Sequence, residues 1–393
     1  MLLFNEISEL YTPFDRIENA AMVVDAGRIV WVGPAAELPD DYLDDVMLIS
    51  LRNRAILPGF VDSHTHLVWD GSRLDEYLRR ARGESYEAIL EAGGGIHNTV
   101  RATREASEEG LLALALSRAG NLLREGVTTI EVKSGYGLEP EQERKMLRVI
   151  RQLCASTPQH IAPTLLAHVV PAGWDRASYV DTFCADLIPE AAREGLATAV
   201  DVFCDRGAFT LDETRRFFEA AAANGLAFKV HAEQLTHTGA TRLAAEMGAL
   251  SADHLEQTTP ADWQALAASG TVATLLPGAT VVLRKQLPDV RAMIDAGVKV
   301  AIATDHNPGS SPFYSLMLCL QLGVALGGMS VEEALAAGTT HAADALGLPD
   351  RGRLAAGCVA DFLVVEGREA LAPFYQWGKP AVAEVYVAGE KTY

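Results

Sequence analysis

The stretch ILPGFVDSHTHLV, residues 56–68, begins apolar, turns at Pro58-Gly59 and ends on two histidines one residue apart. Side chains alternate faces along an extended chain, so His64 and His66 should point the same way at the end of a strand. Seven further runs of this kind follow: VTTIEVKSGYG (127–137), IAPTLLAHVV (161–170), TAVDVFCD (198–205), AFKVHAEQ (227–234), LSADHLE (250–256), TVATLLPG (271–278) and KVAIATDHN (299–307). Helical patterns intervene, among them EQERKMLRVIRQLCAS (141–156), LDETRRFFEAAAANG (211–225) and ATRLAAEMG (240–248). Eight near-continuously apolar strands alternating with helices predict an α/β fold, a closed TIM-like (β/α)8 barrel. An open doubly wound sheet is the alternative, but no GxGxxG turn supports it.

Both ends of the chain are β-rich. AAMVVDAGRIVWVG (20–33) alternates and turns at Ala26-Gly27, while CVADFLVVEG (358–367) and AVAEVYVAGEKTY (381–393) flank a proline-containing loop. Neither end could bury a core alone. The expectation is a composite β-sandwich from residues 1–55 and 350–393, enclosing a barrel at 56–349. The length of 393 residues exceeds the ~250–300 at which single cores stop growing, which favours a second, smaller domain.

The formal charge of −19 repels nucleic acid and anionic membranes, so a small-molecule role is expected. An anionic substrate would then need a local cationic anchor. No run approaches the ~20 apolar residues of a membrane span, and MLLFNEISEL (1–10) is too short and too acidic for a signal peptide. The five cysteines are scattered, without a CxxC pair, and read as reduced thiols of a cytoplasmic protein.

Barrels of this type carry their chemistry at the C-terminal strand ends. His64 and His66 end the first run, Tyr136 follows the second and His168 closes the third. His231 and Gln234 close the fifth, His254 the sixth and Asp305 the eighth. An isolated HxH pair is more often structural. Joined by His231 and Asp305, it offers three nitrogens and one oxygen to a single ion, Zn²⁺ or iron as Fe²⁺ or Fe³⁺. Asp305 would then take a proton from water activated at the ion and return it to a leaving nitrogen, with His254 polarising the attacked carbonyl. Arg73 offers a two-toothed grip on a carboxylate, although it could equally pair with Asp75 or Glu76 on a solvated turn. His306 should face the helices, Cys204 should be a buried structural thiol, and His97, His160, His237 and His341 have no strand-end partners.

PGFVDSHTHL, HAEQL, SADHLE and ATDHNPGSSP together resemble the amidohydrolase superfamily, and within it the imidazolonepropionase family. The likeness spans nearly the whole chain, including GESYEAILEAGGGIHNTVRATREAS (83–107) and EGVTTIEVKSGYGL (125–138). It implies one metal ion held by His64, His66, His231 and Asp305, with His254 beside it. It places Arg73, Tyr136, His168, Gln234, Asn307, Gly309 and Ser310 along the substrate site, Gln234 also among the catalytic groups. The implied reaction opens the ring of 4-imidazolone-5-propanoate to give N-formimidoyl-L-glutamate, in a protein that is commonly a homodimer. Lys133 lies on the second run, whereas the carboxylated lysine that bridges two metals in related enzymes belongs to the fourth. Asp70, Ser72, Leu166, His237, Ala240, Thr280 and Val281 depart from the family's usual residues and bear on the shape of the pocket wall. The alternatives are another cyclic-amide hydrolase, an aminoazaheterocycle deaminase using the same metal site, or a metal-free scaffold protein.

Overall fold

The computed structural model describes residues 1–84, 94–380 and 382–393. Part of the 83–107 block quoted above, residues 85–93, lies outside that description.

Seven strands from the two ends of the chain form one sheet. They are β1 (Leu2–Tyr11), β2 (Arg16–Asp25), β3 (Arg28–Pro34), β4 (Met47–Pro58), β13 (Phe362–Val365), β14 (Val382–Val387) and β15 (Glu390–Lys391), in the order β15-β14-β13-β4-β1-β2-β3. All neighbours are antiparallel except β1 and β4. The β2–β3 hairpin turns at Ala26 and Gly27, both with positive φ (45° and 78°), as the twist of a tight hairpin demands. The sheet curls on itself: Arg28, at the start of β3, bridges back to Val359, just before β13. Inside the curl Phe362 and Tyr386 stack and Phe4 meets both edge-on, with ring centroids 4.4–5.3 Å apart. Around them pack Ile7, Met22, Ile29, Ile56 and Val364. N-terminal and C-terminal strands thus share one core.

Gly59 passes the chain from this sheet into the barrel. A Cβ there would sit 2.3 Å from Thr128 Oγ1, so the position admits only glycine. The barrel strands are β5 (Phe60–Asp62), β6 (Val127–Lys133), β7 (His160–Ala167), β8 (Ala199–Cys204), β9 (Ala227–Ala232), β10 (Ser251–His254), β11 (Val272–Leu275) and β12 (Val300–Ile302). All are parallel and in sequential order. Seven fall within one of the apolar runs, and β7 begins one residue before its run, at His160. The three helices read from sequence form at Pro140–Ser156, Leu211–Ala223 and Ala240–Met247. The second begins with a capping box between Thr210 and Glu213, which satisfies two otherwise orphaned N–H groups.

The barrel closes between its first and last strands just beyond their ends. Asp305 N donates to His64 O and His66 N donates to His306 O, each at 3.0 Å, and Thr65 bridges His306. Two of the histidines and the aspartate singled out from sequence are therefore set side by side by backbone hydrogen bonds. Among the described residues no helix is long and apolar enough to cross a membrane.

Candidate metal centre and substrate site

Four imidazoles gather at the closure. The His64 ring centroid lies 5.4 Å from that of His66 and 4.5 Å from that of His231, and His254 lies 5.3 Å from His231. Asp305 Oδ1 is 3.6 Å from His64 Nε2 and 3.5 Å from His66 Nε2. All five side chains are buried. Three triads each bring three ligand atoms within 4.8 Å of one another: His64 with Glu131 and Asp253 beneath the rings, and, on the open side, His64 with His66 and Asp305, and His64 with His231 and His254. The last two meet on the same side of His64 and describe one place. His254, read as a neighbour of the metal, also reaches it.

The protonation of these groups suits a metal. His64 Nδ1 lies 2.7 Å from Asp253 Oδ2, and His231 Nδ1 lies 3.1 Å from Asp201 Oδ1. A carboxylate at Nδ1 requires the proton there, which leaves the Nε2 lone pair for a ligand. Burial first, then nearby Lys133 and the other imidazoles, holds His64 well below the ordinary histidine pKa; burial also outweighs Asp201 and lowers His231. Both are neutral donors. His64 Nε2 is buried without a hydrogen-bond partner among the described residues. Such an orphan costs ~1–3 kcal/mol unless something binds it, and a cation is the group this donor set fits. At Asp305 burial would raise the carboxyl pKa, but His66, His254 and His231 outweigh it, so the group stays ionised. At His254 burial is likewise outweighed, by Glu256 first, and its pKa is raised.

Strained backbone marks the same strand ends. Asp305 (φ 51°), His254 (φ 81°), Leu255 (φ 72°) and Glu233 (φ 51°) all occupy the left-handed region. Such residues cost ~1–3 kcal/mol each and persist only where the surroundings fix them. Glu233 shows how: its carboxylate accepts from the backbone N–H groups of Thr238, Gly239, Ala240 and Thr241. That folds the loop carrying half-buried Gln234 over the end of β9.

Two of the residues expected at the substrate site stand beside this centre. Tyr136 and His168 lie 5.7 and 6.2 Å from the His66 ring. His168 Nδ1 is 3.0 Å from Gly135 O, and burial, then His66 and His231, lower its pKa to about 3. It is therefore a neutral ring donating to Gly135 and presenting Nε2 as an acceptor. Leu166, one of the departures, packs under this loop, where a Cβ on Gly135 would come within 2.6 Å of it. Beyond Asp305 the chain makes a tight turn around Asn307. Its Oδ1 accepts from Gly309 N and Ser310 N, both at 2.8 Å, and its Nδ2 donates to Asp305 O. The Asn307 side chain is thus spent on shaping the turn, which in turn sets Ser310 Oγ 3.4 Å from Asp305 Oδ2. Arg73 abuts Gly309 from outside, Nη1 standing 3.0 Å from where a Cβ would project. The arginine is buried, and its Nε donates to Glu76 Oε2 at 2.6 Å. The pairing with Glu76 weighed from sequence exists, but in a buried setting rather than on a solvated turn.

Other histidines fall where expected. His306 turns away, its ring centroid 4.2 Å from that of Tyr314 and its Nδ1 2.8 Å from Phe313 O. His237 pairs with Asp262, His341 bonds to Val300 O, and His97 is exposed. Cys204 is buried, and all five cysteines are unpaired. Of the departures, Thr280 is buried and donates to Glu256 Oε1, whereas Val281 is exposed.

Sequence reasoning missed the layer beneath the imidazoles. Glu131, Asp201 and Asp253 are fully buried among Lys133 and Lys229. At Lys133 burial would lower the pKa, yet Asp201, Glu131 and Asp253 more than reverse it, so the ammonium stays charged. Burial would raise Asp201 too, but His231 and Lys133 hold it down. The signal was present: Glu131-Val-Lys133, Lys229-Val-His231 and Ser251-Ala-Asp253 place polar groups two apart in apolar strands, one inward face in each case.

A model of the amidohydrolase family matches residues 55–392, and one of the imidazolonepropionase-like composite domain of bacteria matches residues 20–42. The imidazolonepropionase of Deinococcus radiodurans is 49% identical over 400 residues, covering 98% of each chain. That of Cupriavidus pinatubonensis is 49% identical over 384 residues, covering 96% of this chain and 90% of the relative. In overall fold the chain is similar to an adenosine deaminase from Xanthomonas campestris with bound zinc (TM-score 0.76, 20% identity, 99% and 92% of the two chains). It is also similar to atrazine chlorohydrolase from Arthrobacter aurescens complexed with zinc (TM-score 0.72, 18% identity, 100% and 95%). With near-complete coverage at almost half identity, and with the site residues assembled at the barrel closure, the chain belongs to the amidohydrolase family and, within it, to the imidazolonepropionases.

Proposed function

We propose that this protein hydrolyses 4-imidazolone-5-propanoate to N-formimidoyl-L-glutamate, using one divalent metal ion held by His64, His66, His231 and Asp305. The observation that carries the proposal is the convergence of those four side chains and His254 beside the turn that Arg73 abuts. An ion so held supplies Lewis acidity and a water of lowered pKa, near 7 rather than 15.7. Three imidazole nitrogens and a carboxylate accept zinc and iron(II) alike.

The chain's own groups do the rest. Asp305, kept ionised, takes the proton of the attacking water and delivers it to the ring nitrogen as the carbon–nitrogen bond breaks. His254, its pKa raised, holds the charge that develops on the attacked carbonyl oxygen. Neutral His168 accepts a ring N–H, and Arg73 grips the propanoate carboxylate against the repulsion of a chain of net charge −19. The pocket-wall departures leave all these groups in place.

Incubation with freshly generated imidazolone propanoate should remove the ring's ultraviolet absorbance without releasing ammonia. Ammonia from an aminoazaheterocycle panel, with the imidazolone untouched by metal-replete enzyme, would favour the deaminase alternative and sink this reading. A finer check uses Gly309→Ala, whose added Cβ would stand 3.0 Å from Arg73 Nη1. The guanidinium must shift by a few tenths of an ångström, so KM should rise roughly 2–10-fold with kcat little changed, a loss of uniform binding. Steady-state kinetics on the imidazolone decides it.

A further inference from the structure

Under the imidazoles lies a closed ionic cluster that none of the steps above uses. Lys133 Nζ sits 2.5 Å from Asp201 Oδ2, 2.7 Å from Glu131 Oε2 and 3.6 Å from Asp253 Oδ2. Lys229 Nζ sits 3.0 Å from Glu131 Oε1 and 3.7 Å from Asp253 Oδ2, and donates to Ser63 O at 2.8 Å, directly behind His64. All five side chains are at most 1% exposed. Three carboxylates face two ammonium groups, so the cluster is one positive charge short, and Asp305 adds another negative charge above it. Two of the three carboxylates are the same groups that hold Nδ1 of His64 and His231.

We propose that Lys133 is the hub of a positioning set, with Asp201 and Asp253, that aims Nε2 of His64 and His231 into the site, and that Lys133 and the bound cation compensate the same buried carboxylates. This rests on the metal site proposed above. A buried carboxylate that loses its partner is strongly destabilising, because its charge is left without water or counter-charge. In most ionic clusters that cost is the same whatever else binds. Here a bound cation would lie across the imidazoles from the carboxylates that hold their Nδ1 atoms, so it could take over part of the role of the missing ammonium. The lysine and the metal are therefore thermodynamic rivals, while Asp201 and the metal are allies.

The two kinds of variant should move in opposite directions. Lys133→Met keeps the length of the side chain and removes its charge. The metal-free variant should melt about 5–10 °C below the metal-free parent. Added zinc should recover at least half of that deficit, so its stabilising shift exceeds that of the parent. Asp201→Asn keeps the shape of the carboxylate but no longer enforces the proton on His231 Nδ1. Its zinc affinity, measured by competition with a chelating dye, should fall about 10–100-fold, with the metal-free melting point unchanged or higher. Lys133→Met/Asp201→Asn should melt above Lys133→Met alone when metal-free. An equal loss in Lys133→Met with and without zinc would overturn the proposal, because it would make the lysine a brace and nothing more. If that variant does not fold, undiminished zinc affinity in Asp201→Asn overturns it instead. A parent protein that binds no zinc or iron at all would refute the metal site itself, a result distinct from either.

Discussion

Asp305→Asn is expected to lower kcat/KM by at least ~10³-fold while leaving the fold intact. General acid–base transfer alone is worth ~10²–10⁴-fold, and the same carboxylate is one of the four groups placed to hold the ion. Asparagine is the informative substitution. Position 305 has φ 51°, which asparagine adopts more readily than alanine, so alanine would mix added strain with lost chemistry. The backbone bond from residue 305 to His64 O, which helps close the barrel, is retained. Neighbouring contacts also survive, since an amide oxygen can still accept from Ser310 Oγ. The variant should therefore melt within a few degrees of the parent, hold its metal more weakly and turn over almost no imidazolone even when saturated with metal. Thermal unfolding, metal analysis and the absorbance assay together separate these effects. Activity within tenfold of the parent, with a full complement of metal, would remove Asp305 from the chemistry.

The strands of the barrel were legible because parallel strands buried on both faces are continuous apolar runs, and each strand overlaps its run, β7 alone starting one residue earlier. The cluster was legible because strand ends with unlike titratable groups have few structural reasons to recur. Two kinds of information were not. The first is what a polar side chain bonds to. Asn307 shares a face with Asp305 in sequence, but nothing there shows that five backbone or hydroxyl groups of its own turn engage its amide. The second is charge inside a strand. Glu131 with Lys133 and Lys229 with His231 show as polar groups two apart, but which charges pair is not written there, and only the closed barrel brings Glu131, Asp201 and Lys229 within ion-pair distance of one another or of Lys133. The curl of the terminal strands into one sheet falls between these cases. Both ends were visibly β-rich, but the bridge from Arg28 to Val359 spans the length of the chain and leaves no local trace.

Arg73→Lys should lower kcat/KM about 10²- to 10³-fold, mostly through KM, although charge is conserved. Truncating one partner of a buried, hydrogen-bonded charge pair costs ~2–5 kcal/mol, and a tenfold change corresponds to ~1.4 kcal/mol. Arg73 Nε is already committed to Glu76 Oε2, and Glu76 Oε1 accepts from Gly95 N and Asn98 Nδ2. This fixes the plane of the guanidinium, and the Nη edge, beside Gly309, is the part proposed above to meet a carboxylate. A lysine ammonium is a single point of charge. It can pair with Glu76 or with the substrate, and the nearer, permanently present Glu76 wins. Arg73 Nη1 also stands 3.4 Å from Thr99 Oγ1, a contact a shorter, unforked side chain would lose. The decisive control is an imidazolone without the propanoate arm. Parent and variant should hydrolyse it with kcat/KM values within about threefold of each other, because the group that Arg73 recognises is missing in both cases. A variant equally impaired on both compounds would mean that Arg73 shapes the pocket rather than reading the carboxylate. A variant unimpaired on the propanoate would mean that another cation does so.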